Sequence, residues 1–122
     1  MLRHLAALVP LTIFASCASP ADQWTKIDRA ARHDLDRRYP SGASRDDVRR
    51  ATGAPAFSGT LDDAARYPFG AWCVERVRDR AGDRAQQCDL FMVSGGSSGF
   101  FEDWVFYDAA GGVVSSYRRF AD

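Results

Sequence analysis

Few side chains in this chain could carry chemistry. Histidine occurs twice, as His4 and His33. His4 falls in a segment that reads as a removable leader, and His33 lies on a charged helical face beside Arg32 and Asp34. A nucleophile activated by a base needs an imidazole or a reactive thiol within hydrogen-bond reach, and one surface histidine does not supply that pair. Glu102 and Asp103 are neighbours in a stretch that reads as a strand. They therefore point to opposite faces and cannot share acid–base work. Asp62 and Asp63 lack the further oxygen ligands of a calcium loop. The run Gly95-Gly96-Ser97-Ser98-Gly99 lacks the Gly-Lys-Ser/Thr ending and the strand-to-helix setting of a phosphate-binding loop. It reads as a hairpin loop, with contact to a partner as its alternative use. The residues therefore argue against an enzyme, a metal site and a cofactor. Cysteine chemistry remains, at Cys17, Cys73 and Cys88.

Position gives Cys17 its chemistry. Met1–His4 is a short basic region through Arg3, and Leu5–Phe14 is apolar, interrupted by Pro10. Such a run is too short to cross a hydrocarbon core of ~30 Å as a helix. It fits residues 1–16 as a signal peptide. The following Phe14-Ala15-Ser16-Cys17 resembles a bacterial lipobox, with Phe14 where leucine is usual. That resemblance implies cleavage before Cys17 and its acylation, and two or more acyl chains make a stable anchor where one is marginal. Ala18 and Ser19, in place of aspartate, imply the outer membrane with the domain facing the periplasm. Ordinary cleavage that discards Cys17 is the alternative and would release a soluble periplasmic protein. In such an oxidising compartment Cys73 and Cys88 are expected to pair. Closing a loop of about 15 residues stabilises a fold by ~3 kcal/mol in the chain-entropy model. Two buried free thiols are the other reading. The spacing excludes a CxxC redox pair and makes a poor zinc site.

The elements that position these residues can be read in order. Residues 17–21 form a short tether and 22–122 a single domain. Asp22 can cap a helix over Gln23–Arg38, whose Trp24, Ile27, Ala31 and Leu35 form one stripe. Asp28–Arg32 and Asp34–Arg38 are acid-before-base pairs on its other face. Pro40 biases Tyr39 away from helical angles and ends it. Ser44 then caps a second short helix that stops at Gly53-Ala54-Pro55, with Ala43, Val48 and Ala51 turned inward. Phe57–Gly70 reads as irregular, with one helical turn from Thr60-Leu61-Asp62-Asp63. The charge is balanced, sixteen basic residues against sixteen acidic. That leaves no basic face for nucleic acid. Fifteen of the basic residues are arginine, which from composition alone reads as codon usage.

After Ala71 the period reads as two. Trp72–Val77 is expected as a strand, Arg80–Arg84 as a turn and Cys88–Val93 as its partner strand, so that the cysteines would staple a hairpin. Phe100–Tyr107 and Val113–Phe120 form the last hairpin around Asp108–Gly112. Pairing Tyr107 with Val113 sets Phe106 against Val114, Trp104 against Ser116, Glu102 against Arg118 and Phe100 against Phe120. One face is then apolar with a single ion pair, as a half-buried sheet requires, and the other meets solvent or a partner. The fold class is α+β: two N-terminal helices on one face of a three- to four-stranded antiparallel sheet.

This order of parts resembles the SmpA/OmlA (BamE-like) lipoproteins. The residues that carry the resemblance are the lipobox, Gly42-Ala43-Ser44-Arg45-Asp46-Asp47-Val48, Gly53-Ala54-Pro55, Trp72 and Phe106-Tyr107-Asp108-Ala109-Ala110-Gly111. It implies a helix pair packed on one face of the sheet. Family members include an accessory subunit of the outer-membrane β-barrel assembly machine, so the resemblance implies a lipid-anchored, non-catalytic scaffold with envelope proteins as partners. A small disulfide-stapled inhibitor or ligand-binding module of the envelope, working through Gly95–Gly99, is the alternative. The anchor is tested by Cys17→Ala and membrane fractionation. Loss of the acyl chains should move the protein to the soluble periplasm, and unchanged fractionation would refute the lipobox reading.

Overall fold

The structure, a computed structural model, describes residues 20–96 and 99–121, and of residues 20–28 and 121 the backbone alone. The signal peptide, Cys17 and Ser97–Ser98 lie outside the described residues, as do the side chains of Trp24, Ile27 and Asp28. The chain divides into two compact units, Met1–Ala30 and Ala31–Asp122. The second holds the sheet and all the side-chain packing described below.

Helix α1 runs over Pro20–Arg38 and α2 over Arg45–Thr52. Strand β1 (Phe57–Thr60) leads directly into α3 (Leu61–Arg66) and α4 (Gly70–Ala81). A single 3-10 turn, Gly82–Arg84, precedes β2 (Gln87–Ser94), β3 (Phe100–Tyr107) and β4 (Val113–Ala121). The four strands form one antiparallel sheet in the order β1-β2-β3-β4. Helix α1 starts at Pro20 rather than at Gln23, with proline in the first turn, where its missing N–H costs nothing; residues 20 and 21 are therefore helical and not tether. Helix α2 is bounded as expected: the Ser44 hydroxyl accepts from the Asp47 N–H, and Gly53 closes the end at φ 103°. Thr60 and Asp63 make a reciprocal capping box that starts α3.

Helices thus precede and flank a four-stranded antiparallel sheet, the expected α+β fold. The layering differs from the expectation in one respect. Ala31, Leu35, Tyr39 and Val48 from α1, its C-terminal end and α2 pack with Phe91, Val105, Tyr107 and Val113 on one sheet face. Leu61, Ala64, Cys73, Val74 and Val77 from α3 and α4 pack with Cys88, Leu90, Trp104, Phe106 and Tyr117 on the other. The face expected to meet solvent is therefore the floor of a second core. Ala51, expected to turn inward, is exposed.

Three local corrections explain the second layer. Residues 72–77 are helical, not a strand. The buried set Gly70, Cys73, Val74 and Val77 follows i, i+3, i+4, i+7, a helical stripe that the valines disguise as alternation. The expected irregular stretch contains β1, which pairs Phe57 with Leu90 and Gly59 with Cys88. In the last hairpin Tyr107 does oppose Val113, but a register shift follows at once, so that Phe106 opposes Ser115. Trp104 therefore meets Tyr117, Asp103 meets Arg118, Glu102 meets Arg119 and Phe101 meets Phe120. One extra residue in β4 moves every side chain of that strand from Ser115 onward to the face opposite the expected one.

Gly70 shows how closely α4 sits on α3. A Cβ there would lie 1.7 Å from the Ala64 carbonyl oxygen and 3.2 Å from Trp104. The first obstacle is backbone and cannot rotate away. Gly70→Ala should therefore destabilise by about 3 kcal/mol or more, read as a fall in Tm of roughly 10 °C or more. An unchanged melt would mean that α4 has room to shift.

Candidate functional site

A sheet buried on both faces must account for each acid it carries. Asp89, on β2, is fully buried. Its Oδ1 accepts from Arg45 Nη2 and Arg49 Nη2, both at 2.8 Å, and its Oδ2 from Arg49 Nε at 3.0 Å and the Tyr107 hydroxyl at 3.1 Å. Both arginines lie on α2, one turn apart, which is where capping by Ser44 aims them. Burial alone would raise the Asp89 pKa, but the hydrogen bonds from Arg49, Arg45 and Ser58 overcome it and hold the carboxyl at about 2. Burial and the Asp89 charge together push the Tyr107 hydroxyl far above its ordinary range.

Asp103 on β3 repeats the arrangement. Arg118 donates to it from Nε at 2.7 Å and from Nη2 at 2.9 Å, and the Tyr39 hydroxyl donates at 2.7 Å. Asp34 of α1 receives the same Arg118 at 2.8 Å. On the opposite sheet face Glu102 accepts from Arg119 Nε at 2.8 Å and Nη2 at 2.9 Å, and from Trp104 Nε1 at 3.3 Å. No buried side-chain nitrogen or oxygen among the described residues lacks a partner. These acids are structural: each has its hydrogen-bonding capacity engaged by arginine together with a tyrosine or, at Glu102, a tryptophan.

Of the residues singled out by sequence, the two cysteines share one core, while His33 and the glycine loop lie elsewhere. Cys73 on α4 and Cys88 on β2 are both fully buried in the core under α3 and α4, and both are free thiols. The hairpin expected to carry a Cys73–Cys88 disulfide is replaced by a helix over a sheet, and no bond joins the two sulfurs in this structure. Burial, then the Glu102 charge, pushes the Cys73 thiol up to about 12, and burial together with the Asp89 and Cys73 charges raises Cys88. Both are protonated at neutral pH and act as small apolar core residues. His33 is exposed on α1. Gly95, Gly96 and Gly99 belong to a short hairpin loop between Ser94 and Phe100, closed by Gly95 N–H donating to the Gly99 carbonyl at 2.7 Å. A Cβ on Gly95 would meet the Phe101 ring at 2.7 Å and the Gly99 carbonyl oxygen at 3.1 Å, so the ring would have to shift to admit one.

Beside that loop lies a feature the sequence reading did not single out. Phe69, Met92 and Phe100 are exposed at 62%, 47% and 56%. Met92 is directly opposite Glu102, and Phe100 is two residues from Glu102 on the same sheet face. Arg119 opposes Glu102 from the other side, and its guanidinium lies 3.9 Å from the centre of the Phe69 ring. The three apolar side chains therefore surround one neutralised ion pair. Phe69 adopts φ 64° and ψ 0°, the only non-glycine with positive φ among the described residues. That conformation costs a bulky residue roughly 1–2 kcal/mol. Register places two members of the patch and helix entry the third, which is why sequence spacing alone does not bring them together.

The two sheet edges offer less. Strand β1 has four residues. On β4 the Ser116 carbonyl accepts from Arg32 at 2.7 Å and Arg80 at 3.0 Å, and the Phe120 carbonyl accepts from Arg119 at 3.3 Å. Short edges and arginine-covered carbonyls discourage the addition of another strand. Among the described residues no helix is long and apolar enough to cross a membrane, and no group of three or more His, Cys, Asp or Glu could hold a metal. Compared with protein-family models, with characterised proteins and with solved structures, the chain matches none.

The Asp89 cluster makes a pH prediction with a defined sign. Its folded pKa lies below the unfolded value, so its contribution is complete above pH ~4 and is lost as pH falls towards ~2. Asp89→Asn should remove that part of the acid dependence and lower stability at pH 7 by about 2–3 kcal/mol. Urea unfolding at pH 7 and at pH 3 measures both effects, and an Asn variant with the wild-type acid profile would refute the assignment.

Proposed function

We propose that this chain is a lipid-anchored, non-catalytic adaptor of the bacterial outer membrane, facing the periplasm and docking a protein partner on the Phe69–Met92–Phe100 patch. The observation that carries the reading is the patch itself. Large apolar side chains are exposed together at one end of the sheet, one of them held in a costly backbone conformation, while the buried acids of the fold are all engaged in holding it together. Strain of this kind concentrates at sites of use, and clustered exposed apolar groups mark interaction surfaces. The covered β4 edge favours docking through side chains over strand addition.

The anchor in this reading rests on Phe14-Ala15-Ser16-Cys17, and the partner class on the resemblance to SmpA/OmlA lipoproteins. The second helical layer, α3 and α4, stands outside it. The proposed partner is accordingly a subunit of the outer-membrane barrel-assembly machine, with α4 contributing Phe69 at its entry.

The test compares wild type with the double variant Met92→Ser/Phe100→Ser. Both positions are exposed, so stability should change by no more than about 1 kcal/mol. Barrel-assembly subunits should co-purify with wild type from detergent-solubilised envelopes and be lost from the variant at least tenfold. Equal recovery with both would move the docking surface elsewhere, and no recovery with wild type would overturn the assembly partner. Phe69→Gly separates strain from contact: it should raise stability by about 1 kcal/mol while weakening the same co-purification.

A further inference from the structure

Where β1 gives way to α3, the end of α4 and the turn into β2 come alongside, and together they line a cavity of about 510 Å³. That volume lies within the several hundred Å³ typical of small-ligand sites. Buried Leu61 and Ala85 supply its apolar lining, and exposed Asp62, Arg78, Asp83 and Gln86 its polar one. Arg78 comes from the last turn of α4. Gly82, at φ 60°, then turns the chain so that Asp83 lines the same cavity. None of Phe69, Met92 and Phe100 lines it.

The charges of this lining stand apart from those that hold the fold together. Asp63, next to Asp62, is spent in the capping box, where its carboxylate accepts from the Thr60 N–H at 3.1 Å. Arg66 Nε donates to the Asp62 carbonyl at 3.3 Å and leaves the Asp62 carboxylate alone. Gln86 Nε2 likewise donates to the Asp83 carbonyl at 2.9 Å. Among the described residues the Asp62 and Asp83 carboxylates and the Arg78 guanidinium enter no hydrogen bond or ion pair. Two acids and one base thus face a cavity with their charges unspent.

Charge complementarity selects the occupant. A purely cationic ligand would meet Arg78 as a like charge, and a purely anionic one would meet both aspartates. A molecule with an ammonium at one end and a carboxylate at the other meets an opposite charge at each. The guanidinium fork matches a carboxylate, and an ammonium has three N–H donors for two aspartates to share. We propose that this cavity binds a zwitterion with an apolar side chain, an amino acid or a short peptide. Arg78 takes its carboxylate, Asp62 and Asp83 take its ammonium, and Leu61 and Ala85 receive the side chain. The site is independent of the adaptor reading.

The experiment titrates the protein with free leucine and, separately, with the dipeptide alanyl-leucine, following backbone amide shifts by NMR. Saturable shifts at Asp62, Arg78, Asp83 and Gln86 are expected, and the tighter of the two probes fixes the ligand's length. N-acetylating that probe, or amidating its carboxylate, should weaken binding about tenfold or more. Arg78→Gln should remove the penalty of amidation and keep that of acetylation. Asp62→Asn/Asp83→Asn should do the reverse. All three side chains are exposed and unpaired, so these variants should melt as wild type does, and the blocked probes on wild type decide the matter where a variant is poorly folded. Shifts at these amides that never saturate with either probe would overturn the site. So would blocked probes that bind as tightly as free ones, or penalties that the variants leave unchanged.

Discussion

The carboxylate of Asp89, held by two arginines of one helix and a tyrosine of the next strand, is the interaction on which the rest of the architecture depends. Helices cover both faces of the sheet, so an acid on either face has no water to lean on. An unpaired buried charge costs several kcal/mol, and only close multivalent hydrogen bonding offsets that cost. The chain meets the requirement three times, at Asp89, Asp103 and Glu102, each time with an arginine fork. Lysine, with its compact point charge, could not satisfy two carboxylate oxygens in this manner. Six of the fifteen arginines, at 32, 45, 49, 80, 118 and 119, thus bridge a buried acid or cap an edge carbonyl. Arginine excess that reads as codon usage in the composition has a structural use at these positions.

The legibility of the fold follows from where its determinants lie. Helix α2 and the last hairpin were readable because their signals are local. Ser44, Gly53 and Pro55 bound one, and Asp108 to Gly112 turn the other, where the Asp108 carboxylate accepts from the Ala110 and Gly112 N–H groups. Helix α4 was misread because Trp72-Cys73-Val74-Glu75-Arg76-Val77 satisfies two periods over six residues. Only Gly70 before it decides for the longer period. Strand β1 gave little signal, since a four-residue edge strand holding Ser58 and Gly59 owes its conformation to its partner and not to its own propensity.

The candidate sites were less legible than the fold, and the reason is the register of β3 with β4. A single extra residue after Tyr107 converts one expected ion pair, Glu102 with Arg118, into two on opposite faces. Arg118 then serves Asp103 and the α1 layer, while Arg119 serves Glu102 and lies against Phe69. The position of Arg119 in the exposed patch follows from that shift. Without it Arg119 would point into the other core, and Phe69 would have no cation to rest against. Bulges are set by hairpin geometry and packing, which a pattern of alternating side chains does not record.

The same logic bears on the two cysteines. A thiol pair between strands could have stapled the sheet, but a helix carrying Cys73 places it within an apolar cluster that already excludes water. There the fold draws its cohesion from packing and arginine forks, and a cross-link is not needed to explain why α4 stays docked. Gly70, pressed against the Ala64 carbonyl, and Trp104, fully buried beneath it, fix that helix more tightly than its sequence suggests. A helix held so closely at its first residue leaves the preceding one little choice of conformation. Phe69 takes the left-handed region because the chain must turn from α3 into α4 within the few residues between them. Its exposure is therefore a consequence of close helix packing, and an interaction surface at that point is one the fold could acquire without building a loop for it.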